Sequence, residues 1–129
     1  MRSIAILSDD VEWAQRFVEL IRSRGFYCSR YPVWPKVIER WIQKPNLVIL
    51  DTATPRPGHG WRMFKYLKKN HGFKIILVGE LETRLDIEKI PQSKLAEAYF
   101  QKPVDTDAFW ATVDIVLRKE QEQTYVSAE

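Results

Sequence analysis

Near its middle the chain reads Leu47-Val48-Ile49-Leu50-Asp51, four apolar residues closed by a carboxylate. An unbroken apolar run of this length, without polar alternation, is typical of a strand that is buried on both faces of a parallel sheet. Further strand-like runs occupy residues 4–7, 26–31, 74–78 and 98–101. We therefore predict five strands, with this run as the third.

The segments between the strands carry apolar residues at helical spacing, which predicts strands alternating with helices. Such a chain needs crossover connections, and these give a parallel sheet with helices on both faces. We predict one domain over residues 1–120 and a polar tail over 121–129. The predicted helical segments are residues 11–24, a short helix that opens at Trp34-Pro35 and continues through Ile42, residues 61–69, one or two irregular turns within 81–95, and a last helix capped by Thr106.

Composition excludes several classes of protein. At 129 residues the chain is long enough to bury a core without disulfides. One cysteine, Cys28, and two histidines are too few for a disulfide framework or a zinc site. The net charge of +3 is too small to indicate nucleic acid as a ligand, and no run approaches the ~20 apolar residues of a membrane helix. We expect a cytoplasmic protein that binds neither nucleic acid nor membrane.

Polar residues stand where three of the predicted strands end. Asp51 closes the third strand, Lys102 follows the fifth, and Ser8-Asp9-Asp10 follows the first. The carboxyl ends of parallel strands share one edge of the sheet, where ligands bind. We therefore expect an acidic pocket for a hard cation, a carboxylate that accepts a phosphoryl group, and an ammonium group that neutralises it.

In their order and spacing these residues resemble the receiver domain of two-component response regulators, over nearly the whole chain. That family carries an acidic pair after the first strand, a phosphoacceptor aspartate after the third with proline four residues later, a hydroxyl residue after the fourth, and Lys-Pro after the fifth. Asp51 with Pro55 matches, as does Lys102 with Pro103, and Tyr99 stands at the position of the family's rotating aromatic residue. The resemblance implies a flavodoxin-like, doubly wound sheet with strand order 2-1-3-4-5.

Three features depart from the family pattern: the acidic pair, the hydroxyl position, and the loop over residues 55–60, which is one residue longer than the family norm. The acidic pair corresponds either to Ser8 with Asp9, the register that counting back from the end of the first helix favours, or to Asp9 with Asp10. The position of the hydroxyl residue holds Gly79. We therefore expect that one donor to the phosphoryl oxygens is missing, and with it the group that triggers the rotation of Tyr99.

The resemblance implies a role for each site residue. Asp51 is the phosphoacceptor, Lys102 neutralises the transferred group, and Mg²⁺ is held by Asp9 or Asp10 together with Asp51 and the carbonyl of Ala53. Such a site suits Mg²⁺, which prefers oxygen ligands and keeps waters. The chain would catalyse its own phosphorylation and no other reaction.

The resemblance also implies partners. The phosphoryl donor would be a histidine kinase or a phosphotransfer protein, the signal would pass to a downstream protein target, and homodimer formation is left open. An alternative is a pseudo-receiver, a phosphorylation-independent module for protein interaction or dimerisation, which Gly79 favours. A second alternative, a small hydrolase or phosphatase of the same fold, lacks a nucleophilic serine or cysteine with a candidate histidine nearby.

Overall fold

The computed structural model describes residues 2–56, 58–80 and 96–128, with side chains as far as residue 118. The irregular turns predicted within residues 81–95 lie outside these ranges. Within the described part of the chain, no helix has the length and apolar character needed to cross a membrane.

Within the described ranges, strands alternate with helices from the first strand to the fourth, and a helix follows the fifth, as predicted. All four strand pairs are parallel, in the order β2-β1-β3-β4-β5, which confirms the doubly wound five-stranded sheet. The elements are β1 (Ser3–Leu7), α1 (Val11–Ser23), β2 (Tyr27–Tyr31), a 3₁₀ helix (Pro35–Arg40), β3 (Leu47–Asp51), α2 (His59–His71), β4 (Ile75–Gly79), β5 (Ala98–Gln101) and α3 (Thr106–Ala128).

Helices cover both faces of the sheet, and successive strand residues point to opposite faces. On one face Ile49 belongs to a buried cluster with Phe17 of α1 and Phe109 of α3. On the other face Leu50 packs in a cluster with Trp61 of α2. Every residue of β3 and β4 is buried, which explains why these strands read as unbroken apolar runs.

The short helix after β2 is a 3₁₀ helix that ends before Trp41. The helical pattern had predicted that it continues through Ile42. Instead the backbone of Trp41 is extended, and its ring packs edge-on against Tyr31 and Phe73. Tertiary packing of this aromatic side chain therefore prevails over the helical spacing.

The last helix, α3, differs from its prediction at both ends. Its first turn is capped by Asp105, whose Oδ1 accepts the Ala108 N–H at 3.2 Å, so the prediction of Thr106 as the capping residue was wrong. At the other end the helical backbone continues to Ala128, through the residues predicted to form a polar tail.

Strand register sets which residues meet at the carboxyl edge of the sheet. Leu50 pairs with Leu7, and Asp51 pairs with Val78. Ser8, the residue after β1, therefore lies level with the carboxylate that ends β3. The loop that follows β5 reaches the same edge, because the strands are parallel.

Candidate functional site

Asp51 lies at the centre of this edge with no exposure to solvent. Its Oδ2 accepts hydrogen bonds from Lys102 Nζ at 2.7 Å and from Ser8 Oγ at 2.8 Å, and its Oδ1 accepts the Ala53 N–H at 2.9 Å. A buried carboxylate is stable only when it is paired with a cation and hydrogen-bonded. Three segments of the chain supply these donors, as expected from the strand ends.

Lys102 is held between an ion pair and an aromatic ring. Its side chain is 9% exposed, and its Nζ lies 4.3 Å from the centre of the Trp13 ring and 3.7 Å from Asp10 Oδ2. Its backbone N–H donates to the Gly79 carbonyl at 2.9 Å, which fixes the start of the loop after β5. Sequence reasoning did not assign Trp13 to the site. The signal that could have found it is its position one turn after Asp10, at the start of the helix that leaves the pocket.

Ser8 is buried beside Asp51. Its backbone N–H donates to the Tyr31 carbonyl at 2.9 Å, which extends the ladder between β1 and β2 by one residue. Its hydroxyl donates to Asp51 and accepts the Asp10 N–H at 3.1 Å. A neutral donor therefore lies beside the Asp51 carboxylate, where a second carboxylate would repel it.

The two aspartates after Ser8 accept hydrogen bonds from different backbone N–H groups. Asp10 caps α1, since its Oδ1 accepts the Trp13 N–H at 3.0 Å. Asp9 is half-buried, and its Oδ1 accepts the Val33 N–H at 3.1 Å. Each carboxylate thus has one oxygen engaged in holding a loop of the pocket.

The donor chemistry of these loops fits Mg²⁺. Within the residues that the structure describes, no three His, Cys, Asp or Glu side chains gather as a metal-binding group. Mg²⁺ does not need such a group, because it is usually held by one or two carboxylates and retains waters. Asp51, the carbonyl of Ala53, and Asp9 or Asp10 are oxygen donors of the kind it prefers.

A hydroxyl group from another segment lies beside Gly79 at the end of β4. The sequence did not predict it. A Cβ added at Gly79 would overlap Oγ1 of Thr52 and would lie 3.0 Å from the Tyr99 hydroxyl oxygen. Thr52 is buried, and its Oγ1 donates to the Val78 carbonyl at 3.4 Å. Gly79 itself carries no side chain, and the residue after Asp51 places a hydroxyl in the space that a side chain there would take.

Tyr99 completes this corner. Its half-buried ring lies parallel to that of Trp61, with the ring planes 4° apart and the centroids 6.4 Å apart. The ring thereby joins the cluster under α2. The structure thus places Tyr99 beside Gly79, the neighbour that the resemblance implies, with the Thr52 hydroxyl in the same space.

Comparison with solved structures relates this arrangement to known proteins. A response regulator receiver protein from Burkholderia phymatum is 23% identical, with a TM-score of 0.73 over 91% of this chain and 95% of that one. The receiver domain of the Francisella response regulator 1452 is 18% identical, with a TM-score of 0.76 over 93% and 99% of the two chains.

A third neighbour is the response regulator TrrA from Thermotoga maritima, whose structure is a complex with Mg²⁺ and BeF. It is 19% identical, with a TM-score of 0.75 over 90% of this chain and 99% of that one. No family model and no curated protein matches the chain. Sheet order, crossover pattern and these full-length superpositions agree: the chain has the fold of response regulator receiver domains.

Proposed function

We propose that this protein is a phosphorelay receiver that accepts a phosphoryl group on Asp51 and transmits the signal through protein contacts. One observation carries the proposal: a fully buried carboxylate at a strand end has the ammonium of Lys102 2.7 Å away. This pair combines a nucleophile with the charge that stabilises the group it would receive.

The chemistry follows from these contacts. An Asp51 oxygen forms a bond to phosphorus while the bond from phosphorus to the donor's leaving atom breaks, and the leaving group departs with the electron pair. Catalysis of such a transfer is mainly positioning and neutralisation of charge on the phosphoryl oxygens. Lys102 supplies a positive charge, and Ser8 supplies a neutral donor that holds the carboxylate in place.

Mg²⁺, if bound, would be held by Asp51, the Ala53 carbonyl and Asp9 or Asp10, and would add positive charge beside the transferred group. The Mg²⁺ and BeF complex of the Thermotoga maritima neighbour supports this choice of ion. The donor of the phosphoryl group would be a histidine kinase or a phosphotransfer protein.

The signal would pass to a partner protein through the surface of β5 and α3. Tyr99 of β5 links this side of the domain to the pocket, since its hydroxyl oxygen lies beside Gly79. On α3, Ile115 is 50% exposed, an apolar side chain of the kind that a partner protein covers.

The test is the intact mass of the protein after incubation with acetyl phosphate and Mg²⁺. The wild-type protein is expected to gain the mass of one phosphoryl group. The Asp51→Asn variant, which has the same size without the nucleophile, is expected to gain none. A wild-type protein that gains no mass, with the same reagents labelling a known receiver, would contradict the proposal.

A second candidate function is phosphorylation-independent docking, in which the pocket serves only to hold the fold. Its support is that Asp51 is unexposed and that its charge is neutralised within the chain by Lys102. In that case Asp51→Asn would bind the partner as well as the wild-type protein does, and beryllofluoride would not change partner binding. A partner recovered with wild-type protein and lost with Asp51→Asn would argue against this candidate.

A further inference from the structure

Thr52 is enclosed by two glycines that leave room for it. On one side, a Cβ at Gly60 in the first turn of α2 would lie 2.6 Å from the Cα of Thr52. On the other side, a Cβ at Gly79 would overlap Oγ1 of Thr52. Any larger residue at either position would displace Thr52, so the two glycines allow a buried hydroxyl directly after the Asp51 carboxylate.

That hydroxyl is weakly engaged. Thr52 is 4% exposed, and its Oγ1 donates to the Val78 carbonyl at 3.4 Å. Hydrogen bonds between hydroxyl and carbonyl oxygens are normally about 2.5–3.0 Å long. Burying a hydroxyl without a good partner is unfavourable. The Thr52 hydroxyl therefore gains from a stronger acceptor that comes within its reach.

The backbone after Asp51 keeps Thr52 at the edge of the sheet where that acceptor would form. β3 ends at Asp51, and the Ala53 N–H turns back to donate to Asp51 Oδ1. Thr52 lies between these two residues, at the carboxyl edge of the sheet. Its backbone N–H donates to the Val78 carbonyl at 2.8 Å, which extends the ladder between β3 and β4 by one residue.

We propose that Thr52 donates its hydroxyl to a phosphoryl oxygen of the group formed on Asp51, and that it does so in place of a side chain at Gly79. This inference rests on the proposed phosphoacceptor function. The Tyr99 hydroxyl oxygen and Thr52 Oγ1 both lie next to the position that a Cβ at Gly79 would take. A Thr52 hydroxyl that turns towards the phosphoryl group would therefore also change the surroundings of the Tyr99 hydroxyl.

The experiment compares initial rates of phosphoryl mass gain with acetyl phosphate and Mg²⁺. Thr52→Val keeps the branched shape and removes the hydroxyl, and its rate is expected to fall about tenfold, the loss of one hydrogen bond to a charged group. Thr52→Ser keeps the hydroxyl and is expected to stay closer to wild type than to Thr52→Val. The matched control is Thr112→Val, the same change on α3, where the Thr112 hydroxyl donates to the Ala108 carbonyl.

A second variant tests whether the hydroxyl can be moved. Thr52→Ala removes Oγ1 and leaves its Cβ 3.6 Å from the Cβ position at Gly79, an ordinary contact distance. The double variant Thr52→Ala/Gly79→Ser is therefore expected to be phosphorylated faster than Thr52→Ala alone. Urea unfolding of each variant confirms that rates are compared between folded proteins.

The outcomes separate this inference from the proposed function. Wild-type protein that is labelled on Asp51, with Thr52→Val labelled at the same rate, would overturn the inference and leave the proposed function standing. Wild-type protein that is not labelled would overturn both. A fall in rate that Thr52→Ser does not share supports the inference.

Discussion

Lys102 Nζ and Asp51 Oδ2 lie 2.7 Å apart, and the two side chains are 9% and 0% exposed. Removing Lys102 leaves the Asp51 carboxylate buried and without this counter-ion, whereas Lys102 keeps Asp10 at 3.7 Å when Asp51 is neutralised. We therefore expect the pair to contribute to the free energy of unfolding. A double-mutant cycle measures the coupling energy between the two side chains.

Lys102→Met is expected to lower the free energy of unfolding by about 3 kcal/mol, because it leaves the Asp51 carboxylate without a cation. Asp51→Asn/Lys102→Met is expected to cost less than this single variant. Urea unfolding at neutral pH measures both. The matched control is Lys74→Met, which removes the partly exposed, 3.9 Å pair with Glu97 and should cost no more than about 1 kcal/mol. A double variant less stable than Lys102→Met would contradict the prediction.

Gly79→Ala is expected to lower the free energy of unfolding by about 1–3 kcal/mol, since its Cβ would overlap Thr52 Oγ1. In a Thr52→Ala background the same change should cost clearly less, because the overlapping atom is gone. Urea unfolding of the four proteins gives the coupling energy. Equal costs in the two backgrounds would show that Thr52 does not occupy this space.

Ser8→Asp is expected to tighten the binding of Mg²⁺ and to destabilise the protein when a chelator removes divalent cations. The reason is that Ser8 Oγ lies 2.8 Å from Asp51 Oδ2, where a second carboxylate would repel the first until a cation joins them. Calorimetric titration with Mg²⁺ and urea unfolding in chelator measure the two effects. Ser8→Asn, which has the same size without the charge, is the control. Equal Mg²⁺ affinities for these two variants would contradict the prediction.

Cys28 provides a pH-dependent probe of the core. Burial raises the pKa of its thiol from the ordinary value of 9.0 to about 12, partly opposed by the Arg22 charge. The unfolded chain loses this proton at lower pH, so the contribution to stability is complete below about pH 9 and is lost as pH rises towards 12.

Iodoacetamide at pH 8 is therefore expected to label Cys28 slowly in the native protein and rapidly in urea, because the thiolate is the reactive form. The free energy of unfolding of Cys28→Ala should fall less between pH 9 and pH 12 than that of the wild-type protein, because the variant has no thiol to ionise. Native labelling as fast as labelling in urea would show that the thiol is not protected by the fold.

The sequence was sufficient for the sheet and for the central pair. Unbroken apolar runs such as β3 are typical of strands buried on both faces, and Asp51 and Lys102 were predictable because each stands where a strand of the parallel sheet ends. The position of the Thr52 hydroxyl beside Gly79 was not predictable. The hydroxyl that lies beside Gly79 is determined by the distance between neighbouring segments of the sheet. The sequence alone does not give that distance.

Predictions from local sequence patterns were wrong at two places where tertiary contacts or individual hydrogen bonds determine the structure. Helical spacing around Trp41 predicted a longer helix, but its ring packs between the rings of Tyr31 and Phe73 instead. Thr106 and Asp105 are both favourable capping residues, so composition could not separate them. The structure does so through the Ala108 N–H, which Asp105 accepts.

The most direct test of the account is to locate the phosphoryl group along the chain. After labelling with acetyl phosphate and Mg²⁺, reduction with borohydride converts an aspartyl phosphate to homoserine, and peptide mass spectrometry identifies the position. The account predicts homoserine at position 51 and none in the Asp51→Asn variant. Homoserine at Asp9 or Asp10 in place of position 51, or no conversion in labelled protein, would contradict it.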